Sequence, residues 1–395
     1  HCGTIGAGHG HSDQLHIDLV ANGEDVLMDG GRYTYVFGEK RCEYKDPTMH
    51  NTITVDGKLF TVCKDSWECS RLSAPVKQQF VTNERFEFVQ AGHLGYLPEG
   101  VFVNRKIVYL RPDVYVVMDE CYATGRHTYE SYFHFNNEGS VTLDGSAVHY
   151  DGISAEAVLT FLSGAKLSKK TTHLSRRYNH EEENETVTAA WGGEGFTSCL
   201  TVIHAGARGE LPTMHCEKIP VSSALKGTVY PDVMAEAVKL TLDQKEYVVI
   251  FCHQEVNSPT DLVEADGCLG FGNVTVDEAA IALDGSGAPM GYVVTTTSKD
   301  GYGGAITVSV GVMADGTVNG IAFLTLAETA GLGMNADTDW KNQYAGKNVD
   351  GFTVTKNGAS ADNEINAISG ATITSNAVTG AVNGAVYFAK NCLAQ

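Results

Sequence analysis

The chain has 395 residues, 43% of them hydrophobic and 19% charged, with a formal charge of −20. That length accommodates two or three domains at roughly 150 residues each, and the composition excludes a disordered chain. The acidic balance excludes non-specific binding to nucleic acid or anionic membranes, because counterion release requires a basic surface, and no run of 18 apolar residues offers a transmembrane helix.

Taken in chain order, Leu15 to Leu19, Phe86 to Val89, Val101 to Leu110, Val114 to Met118, Tyr129 to Phe135 and Val238 to Leu242 alternate apolar and polar residues as strands do. Short turns such as Asp56-Gly57, Arg111-Pro112-Asp113 and Asp243-Gln244 join them, so antiparallel pairing and a large β-sandwich are expected. All 14 histidines lie between His1 and His253 and the last arginine is Arg208, which marks a composition boundary. Cys268-Leu-Gly-Phe-Gly-Asn-Val and Asp284-Gly-Ser-Gly-Ala-Pro place the joint near 270–285, giving domains 1–275 and 280–395. Beyond it, Tyr292 to Thr297 and Ala305 to Val312 are strand-like, while Val378, Ala381, Val382, Ala385 and Phe388 give Ser375 to Ala389 a helical face. The expected fold class is therefore mainly β: a large antiparallel β-sandwich followed by a small α+β domain.

Ten cysteines without a C-x-x-C pair exclude a zinc ribbon or a thioredoxin motif. The chain begins at His1 with no charged and apolar leader behind it, and is read as a piece of a longer protein. The basic cluster Lys169-Lys170 and Arg176-Arg177 reads as a solvated loop.

Chemistry concentrates first in Gly8-His9-Gly10-His11-Ser12-Asp13. On a strand, residues two apart share a face, so His9 and His11 point into one pocket, with His16 on the opposite face. Asp29-Gly-Gly-Arg32-Tyr33-Thr-Tyr35, Arg41 and Met49-His50-Asn51-Thr52 add a second polar set. The order GHGHSDQLHIDLVANGEDVLMDGGRYTY followed by HNTITVDG resembles the heparinase II/III family of polysaccharide lyases. The resemblance implies that residues 1–270 are that family's C-terminal β-sandwich, that His9 sits at a catalytic cleft, and that His11, Asp29 and His50 bind zinc. It further implies an acidic polysaccharide as substrate, and an N-terminal α/α-toroid domain that supplies several catalytic groups.

Elimination from a uronic acid needs the carboxylate neutralised, the C5 proton removed and the O4 leaving group protonated. Tyr33 is favoured over Tyr35 as the phenol that shares proton transfer with His9, and Arg32 or Arg41 as the partner of the carboxylate. The zinc is expected to lock loops without touching substrate; the alternatives are a pair of strand histidines without metal and a cupin-like metal site. The last rests on the spacing of Gly3, His9, His11, His16 and Gly23.

The second centre is Ile368-Ser369-Gly370-Ala371-Thr372-Ile373-Thr374-Ser375, where small residues, hydroxyls and helix N–H groups converge as a phosphate requires. Together with Lys299-Asp-Gly-Tyr-Gly-Gly304 and Glu328-Thr-Ala-Gly-Leu-Gly333 it resembles the FMN-binding domain of Rnf and Na+-pumping quinone reductase subunits. The resemblance implies FMN bound by Ser369, Gly370, Ala371 and Thr372, phosphoester-linked to Thr372 by a flavin transferase. Asn366 stands where the family commonly has Asp, and Ala330 where it has Pro. The alternative is an ordinary helix start capped by Thr374 or Ser375.

The two halves together read as part of a secreted or surface-anchored uronate lyase carrying a flavinylated electron-transfer domain, with an unidentified redox partner. The competing reading is a non-enzymatic extracytoplasmic flavin carrier whose sandwich binds glycan.

Overall fold

The computed structural model describes residues 9–82, 86–223, 227–243, 245–253, 262–265, 268–271 and 274–393. Gly3 and Gly8 of the histidine-rich segment, Cys2, and Gly272-Asn273 of the expected joint lie outside the described residues. Contacts divide the chain into two units, residues 1–217 with 240–246 and residues 218–239 with 247–395.

The first unit is built on a ten-stranded antiparallel sheet. Its order is Ser140–Asp144, Ala147–Asp151, Ala155–Phe161, His180–Ala207, Val114–His134, Val101–Leu110, Phe86–His93 and Pro75–Thr82. Lys166–Arg177 also pairs with His180–Ala207, and Ile53–Val55 with Val114–His134. The expected strands Val114 to Met118 and Tyr129 to Phe135 are one 21-residue strand, because the polar stretch between them pairs with Phe196 to Gly193 across the ladder. The register slips between Glu194 and Phe196, and Gly195 takes φ 74° there, a bulge that bends the long pair. Strict alternation survives in Ala155–Phe161, where Ala155, Ala157, Leu159 and Phe161 are buried and the residues between them are half-exposed.

Two cores follow from this pattern. One gathers Leu27, Val117, Phe133, Phe135, Val148 and Leu159; the other gathers Ile53, Val55, Phe60, Tyr96, Val103 and Tyr129. The expected strand from Leu15 to Leu19 does not form: Leu15 takes φ 65°, a conformation that breaks strand alternation, and pairing begins only at Leu19–Ala21. Residues 9–18 are therefore an irregular segment, and the two-residue spacing of His9, His11 and His16 does not assign faces there.

That segment is fastened from below. Arg105, buried on Val101–Leu110, forms a two-pronged pair with Asp119, Nε to Oδ1 at 2.6 Å and Nη2 to Oδ2 at 2.9 Å. Its Nη1 donates to Leu15 O at 2.6 Å and Asn51 O at 2.8 Å, and Ser131 Oγ donates to Asp119 Oδ2 at 2.6 Å. A buried guanidinium is tolerated only with its donors paired, and here two of its bonds hold loop carbonyls.

In the second unit, Val274–Leu283, Pro289–Ser298, Ile306–Met313 and Val318–Thr325 form a four-stranded antiparallel meander. Its first strand occupies the stretch in which the composition places the joint. Asp284 holds the following turn, its Oδ1 accepting from the Ser286 and Ala288 N–H groups. The helix Thr372–Phe388 lays Ala377, Val378, Ala381, Val382, Ala385 and Val386 on Val294, Ile306, Val308, Val310 and Val312. Each valine so buried contributes roughly 1.5–3 kcal/mol.

Arg105→Ala leaves Asp119 buried and two loop carbonyls without a donor. It is expected to destabilise the first unit by about 3–5 kcal/mol in chemical denaturation, and Arg105→Met with Asp119→Leu recovers much of that loss.

Candidate functional site

Residues 9–51 return three times to one place, and each visit is fixed by a backbone contact. Ser12 N–H donates to Lys45 O at 2.9 Å, Gly30 N–H to Met49 O at 3.1 Å and Ser175 N–H to Gly30 O at 2.8 Å. At Gly31 (φ 85°) a Cβ would lie 2.2 Å from Ser175 O, so the turn after Asp29 accepts only glycine. Asn51 ties the strands together: its Nδ2 donates to Ile17 O at 2.7 Å and Met28 O at 3.3 Å, and its Oδ1 accepts from His134 N–H at 2.6 Å.

On this frame Asp29, His50 and His16 meet, with ligand atoms all within 4.8 Å of one another. His50 is fully buried; its Nδ1 lies 2.7 Å from Asp29 Oδ2, and its Nε2 meets no hydrogen-bond partner among the described residues. Burial by itself would raise the Asp29 carboxyl, but the bond to His50, the charges of His50 and His16, and the Gly31 N–H hold it well below the usual carboxylate range. His16 Nε2 is 3.6 Å from Asp29 Oδ2 and 2.9 Å from Asp18 Oδ1, while its Nδ1 accepts the Asn51 N–H at 2.8 Å. A backbone N–H can only donate, so in neutral His16 the proton sits on Nε2, facing the carboxylates. His11 packs beside His50, ring centroids 5.4 Å apart, and Arg41 Nη1 donates to its Nε2 at 3.3 Å. Burial first, then the neighbouring His50, pulls the His11 pKa down to about 3, so this imidazole stays neutral.

Two imidazoles and a carboxylate are a donor set that fits zinc. Asp29 and His50, expected as ligands, are in contact. The third place has two claimants, His11 and His16. Irregular chain at 9–18 brings His16 to the site despite its expected assignment to an opposite strand face.

A polar cleft of about 460 Å³ opens above this cluster, lined by His9, His11, Asp29, Arg32, Tyr35, Arg176, Arg177 and Tyr178 among others. His9 is exposed and meets Tyr35 and Trp67 edge-on, both at 5.5 Å. Tyr35 stacks on Trp67 at 5.7 Å, accepts a hydrogen bond from Arg32 Nη1 at 2.9 Å, and lies under the guanidinium groups of Arg32 and Arg41 at 4.9 and 5.1 Å. Tyr33, the phenol favoured on sequence, is elsewhere: with φ 50° it turns away and stacks on Tyr44 at 5.7 Å, outside the cleft lining. Tyr35 lines the cleft and Tyr33 does not, because the positive φ at Tyr33 turns its ring to Tyr44. Arg176 and Arg177, expected as solvated loop residues, also line the cleft. Their strand Lys166–Arg177 runs to the Gly31 turn, a long-range placement whose only trace in the sequence is the basic pair followed by Tyr178.

In the second unit Glu328 joins the three motifs. Its Oε1 accepts the Gly303 N–H at 3.1 Å and its Oε2 accepts from Thr374 Oγ1 at 3.0 Å. A Cβ at Gly333 would lie 2.6 Å from Glu328 Oε2 and 2.7 Å from Thr374 Oγ1, and one at Gly303 would lie 2.0 Å from Ala327 O. The helix starts at Thr372 with Ala371 as N-cap and no side-chain cap. Thr374 is turned to Glu328, and Ser375 Oγ accepts from Ile368 N–H and donates to Ala371 O, so neither hydroxyl caps the helix. Ser369, Gly370, Ala371 and the half-buried Thr372 thus surround a helix start whose first N–H groups lack a side-chain acceptor, with the exposed Leu332 beside Gly370 and the exposed Ile373 on the first turn. Asn366 uses both ends of its amide: Oδ1 accepts from Ala359 N–H at 2.7 Å while Nδ2 donates to Gln343 Oε1 at 3.2 Å, a combination no carboxylate offers.

Fold and sites define a modular protein, one unit a β-sandwich with a histidine–carboxylate centre under a cationic cleft, the other an α+β fold with a helix start that no side chain caps. The family model for heparinase II/III-like C-terminal domains matches residues 1–209, more than half of the chain, and the chain belongs to that family. The FMN-binding domain model matches residues 301–387, so the chain also carries an FMN-binding domain. Over 108 residues the chain is 40% identical to the G subunit of the Na(+)-translocating ferredoxin:NAD(+) oxidoreductase complex of Acetobacterium woodii, covering 27% of this chain and 52% of that one. Over 98 residues it is 46% identical to the corresponding subunit of the proton-translocating ferredoxin:NAD(+) oxidoreductase complex of Clostridium ljungdahlii, covering 25% and 52%. The chain thus spans about half the length of these relatives. The heparan sulfate lyase HepC from Pedobacter heparinus superposes with a TM-score of 0.51 at 13% identity, over 62% of this chain and 38% of that one, which shows a shared β-sandwich fold. No helix among the described residues is long and apolar enough to cross a membrane.

Two further buried imidazoles set an acid limit on the first unit. His134 takes a hydrogen bond from Thr186 and gives one to Thr48 O, and burial first, then His50, pulls its pKa to about 3; burial does the same to His93. Folded-state values below the unfolded value of about 6.5 mean the unfolded chain binds more protons between about pH 6.5 and 3. Stability is therefore expected to be full above about pH 6.5 and to fall as the pH drops through this window, by up to about 1.4 kcal/mol per pH unit for each ring. Denaturant melts at stepped pH measure the slope, and His93→Gln reduces it.

Proposed function

We propose that the first unit is the C-terminal part of a uronate polysaccharide lyase that works outside the cytoplasm, and that the second carries covalently bound FMN for electron transfer. The observation that carries the lyase reading is the convergence of Arg32, Arg176 and Arg177 with His9 and Tyr35 on one cleft of a protein whose net charge is −20. Cations gathered against the overall charge mark a place for an anion.

In this reading Arg177 and Arg32 receive the uronate carboxylate, withdrawing charge from C5 and making its proton removable. His9, exposed and held edge-on by Tyr35 and Trp67, removes or relays that proton. Tyr35, whose phenol oxygen accepts from Arg32, protonates the departing O4. Asp29 and His50 would hold zinc with His11, whose Nε2 exchanges the long 3.3 Å bond from Arg41 for the metal; His16 stays outside the ligand set, because the shorter 2.8 Å bond from the Asn51 backbone N–H occupies its Nδ1 and leaves the N–H on Nε2. Zinc supplies a fixed positive charge that ties the irregular segment to its neighbours. The remaining catalytic groups belong to the family's N-terminal toroid domain. The elimination moves no electrons, so FMN serves a separate task, bound through the helix start at Thr372 with Tyr302, Leu332 and Ile373 beside the ring.

Two measurements test this. In the full-length protein, His9→Ala and Tyr35→Phe are expected to lower formation of the ultraviolet-absorbing unsaturated uronate by about 10²-fold or more, with Tyr33→Phe within a few-fold of wild type. Intact polymer in every case leaves a glycan-binding redox carrier. Metal analysis is expected to give one zinc per chain, lost in His11→Ala and kept in His16→Gln.

Chain purified from its native host is expected to gain the mass of one FMN less water, with the gain lost in Thr372→Ala. Unmodified, colourless protein overturns the flavin reading.

A further inference from the structure

Two exposed aromatic rings meet at the cleft of the first unit. Trp67 and Tyr178 are 54% and 48% exposed. They come from hairpins far apart in sequence, Val62–Cys63 with Cys69–Arg71 and Lys166–Arg177 with His180–Ala207. Both nevertheless reach Tyr35, with ring centroids 5.7 and 6.2 Å from it. Exposed aromatic residues scattered singly need no explanation, whereas two that converge on one polar cleft mark a surface for contact.

Each ring is carried on a fastened turn. Asp65 Oδ1 accepts the Trp67 N–H at 2.6 Å and the Glu68 N–H at 2.8 Å, closing the hairpin loop that bears the indole. Tyr178 Oη accepts from Thr34 Oγ1 at 3.3 Å, and the adjoining Asn179 N–H donates to Tyr33 O at 2.7 Å. The second hairpin is thereby tied to the same loop that carries Tyr35. Tyr35 has little ring surface of its own left open, because Trp67 stacks on it and the guanidinium groups of Arg32 and Arg41 lie over it at 4.9 and 5.1 Å. The aromatic surface that a ligand meets is therefore that of Trp67 and Tyr178.

The surroundings define the ligand. A pyranose carries hydroxyls around its edge and C–H groups on its face, and that face matches the negative π-surface of an aromatic ring. A purely apolar molecule makes no use of Arg32, Arg176 and Arg177 in the adjoining cleft, whereas a chain of sugars bearing carboxylates uses both surfaces. The centroid separations are on the scale of a single pyranose. A sugar on either ring thus belongs to the same chain as a uronate at Tyr35.

We propose that Trp67 and Tyr178 are stacking platforms for two further sugar rings of the uronate chain whose reacting residue lies at Tyr35. The sandwich then grips an oligosaccharide and not a single sugar. The inference rests on the lyase reading and adds to it two binding residues outside the proton transfers.

The test is a titration of the full-length protein with size-fractionated oligosaccharides, disaccharide to hexasaccharide, prepared from heparosan, hyaluronan and alginate. Binding is read by calorimetry and by tryptophan emission. The hexasaccharide that binds best is expected to shift the emission of wild type, and the shift is lost in Trp67→Phe while affinity stays within a few-fold. Trp67→Ala and Tyr178→Ala are each expected to weaken hexasaccharide binding by roughly 10-fold and to flatten the rise of affinity with chain length. Hexasaccharide binding that leaves the emission and both alanine variants' affinities unchanged overturns the inference and leaves the lyase reading standing. Binding of no oligosaccharide, with every polymer left intact, overturns both. An indole at Trp67 shielded from acrylamide in the ligand-free protein shows that another part of the full chain covers it, and this too overturns the inference. The emission and quenching measurements do not depend on whether an alanine variant folds.

Discussion

The first unit depends on one buried charge. Arg105 is paired to Asp119 on the neighbouring strand and directs its remaining donor to the carbonyls of Leu15 and Asn51. Those two residues precede His16 and follow His50, so the guanidinium positions both arms of the histidine cluster from beneath. Irregular backbone near a protein interior is costly unless its polar groups are satisfied, and side-chain donors from the sheet meet that requirement here. The sandwich is thus a rigid floor on which a loop with no secondary structure of its own acquires fixed geometry.

Charge is sorted in the same way. The chain carries an excess of 20 negative charges, while Arg32, Arg176 and Arg177 line a single opening and the buried Arg41 lies against Tyr35. Asp29 beneath them is not an orphan acid: it is engaged with His50 and the Gly31 N–H. Arg176 is partly spoken for by Glu182 and Asn136, which leaves Arg177 and Arg32 as the more available cations for an incoming carboxylate.

The flavin unit achieves its geometry through close approach rather than charge burial. Glu328 pulls the glycine-rich loop at Gly303 and the helix at Thr374 to one carboxylate, and the glycines at 303 and 333 are the residues that let backbone come so near. Turning Thr374 and Ser375 to these structural bonds removes them as caps, and the helix start is left able to receive a phosphate.

Much of this was legible in the sequence because it is local. Alternation predicted Val101–Leu110 to the residue and helical spacing found the face of Thr372–Phe388, since periods of two and of 3.6 are printed directly in the order of residues. Motif order led to both families, because glycines, histidines and hydroxyls at fixed spacing are demanded by turns and ligands that cannot be built otherwise. What the tertiary structure alone decided are the features set by a single positive φ or by a distant strand. Leu15 in a left-handed conformation broke the expected strand, bringing His16 to Asp29, and the left-handed Tyr33 stacks on Tyr44 while Tyr35 lines the cleft. Arg176 and Arg177 reach the cleft only because Lys166–Arg177 runs to the Gly31 turn, and no local pattern encodes which strand lies beside which loop.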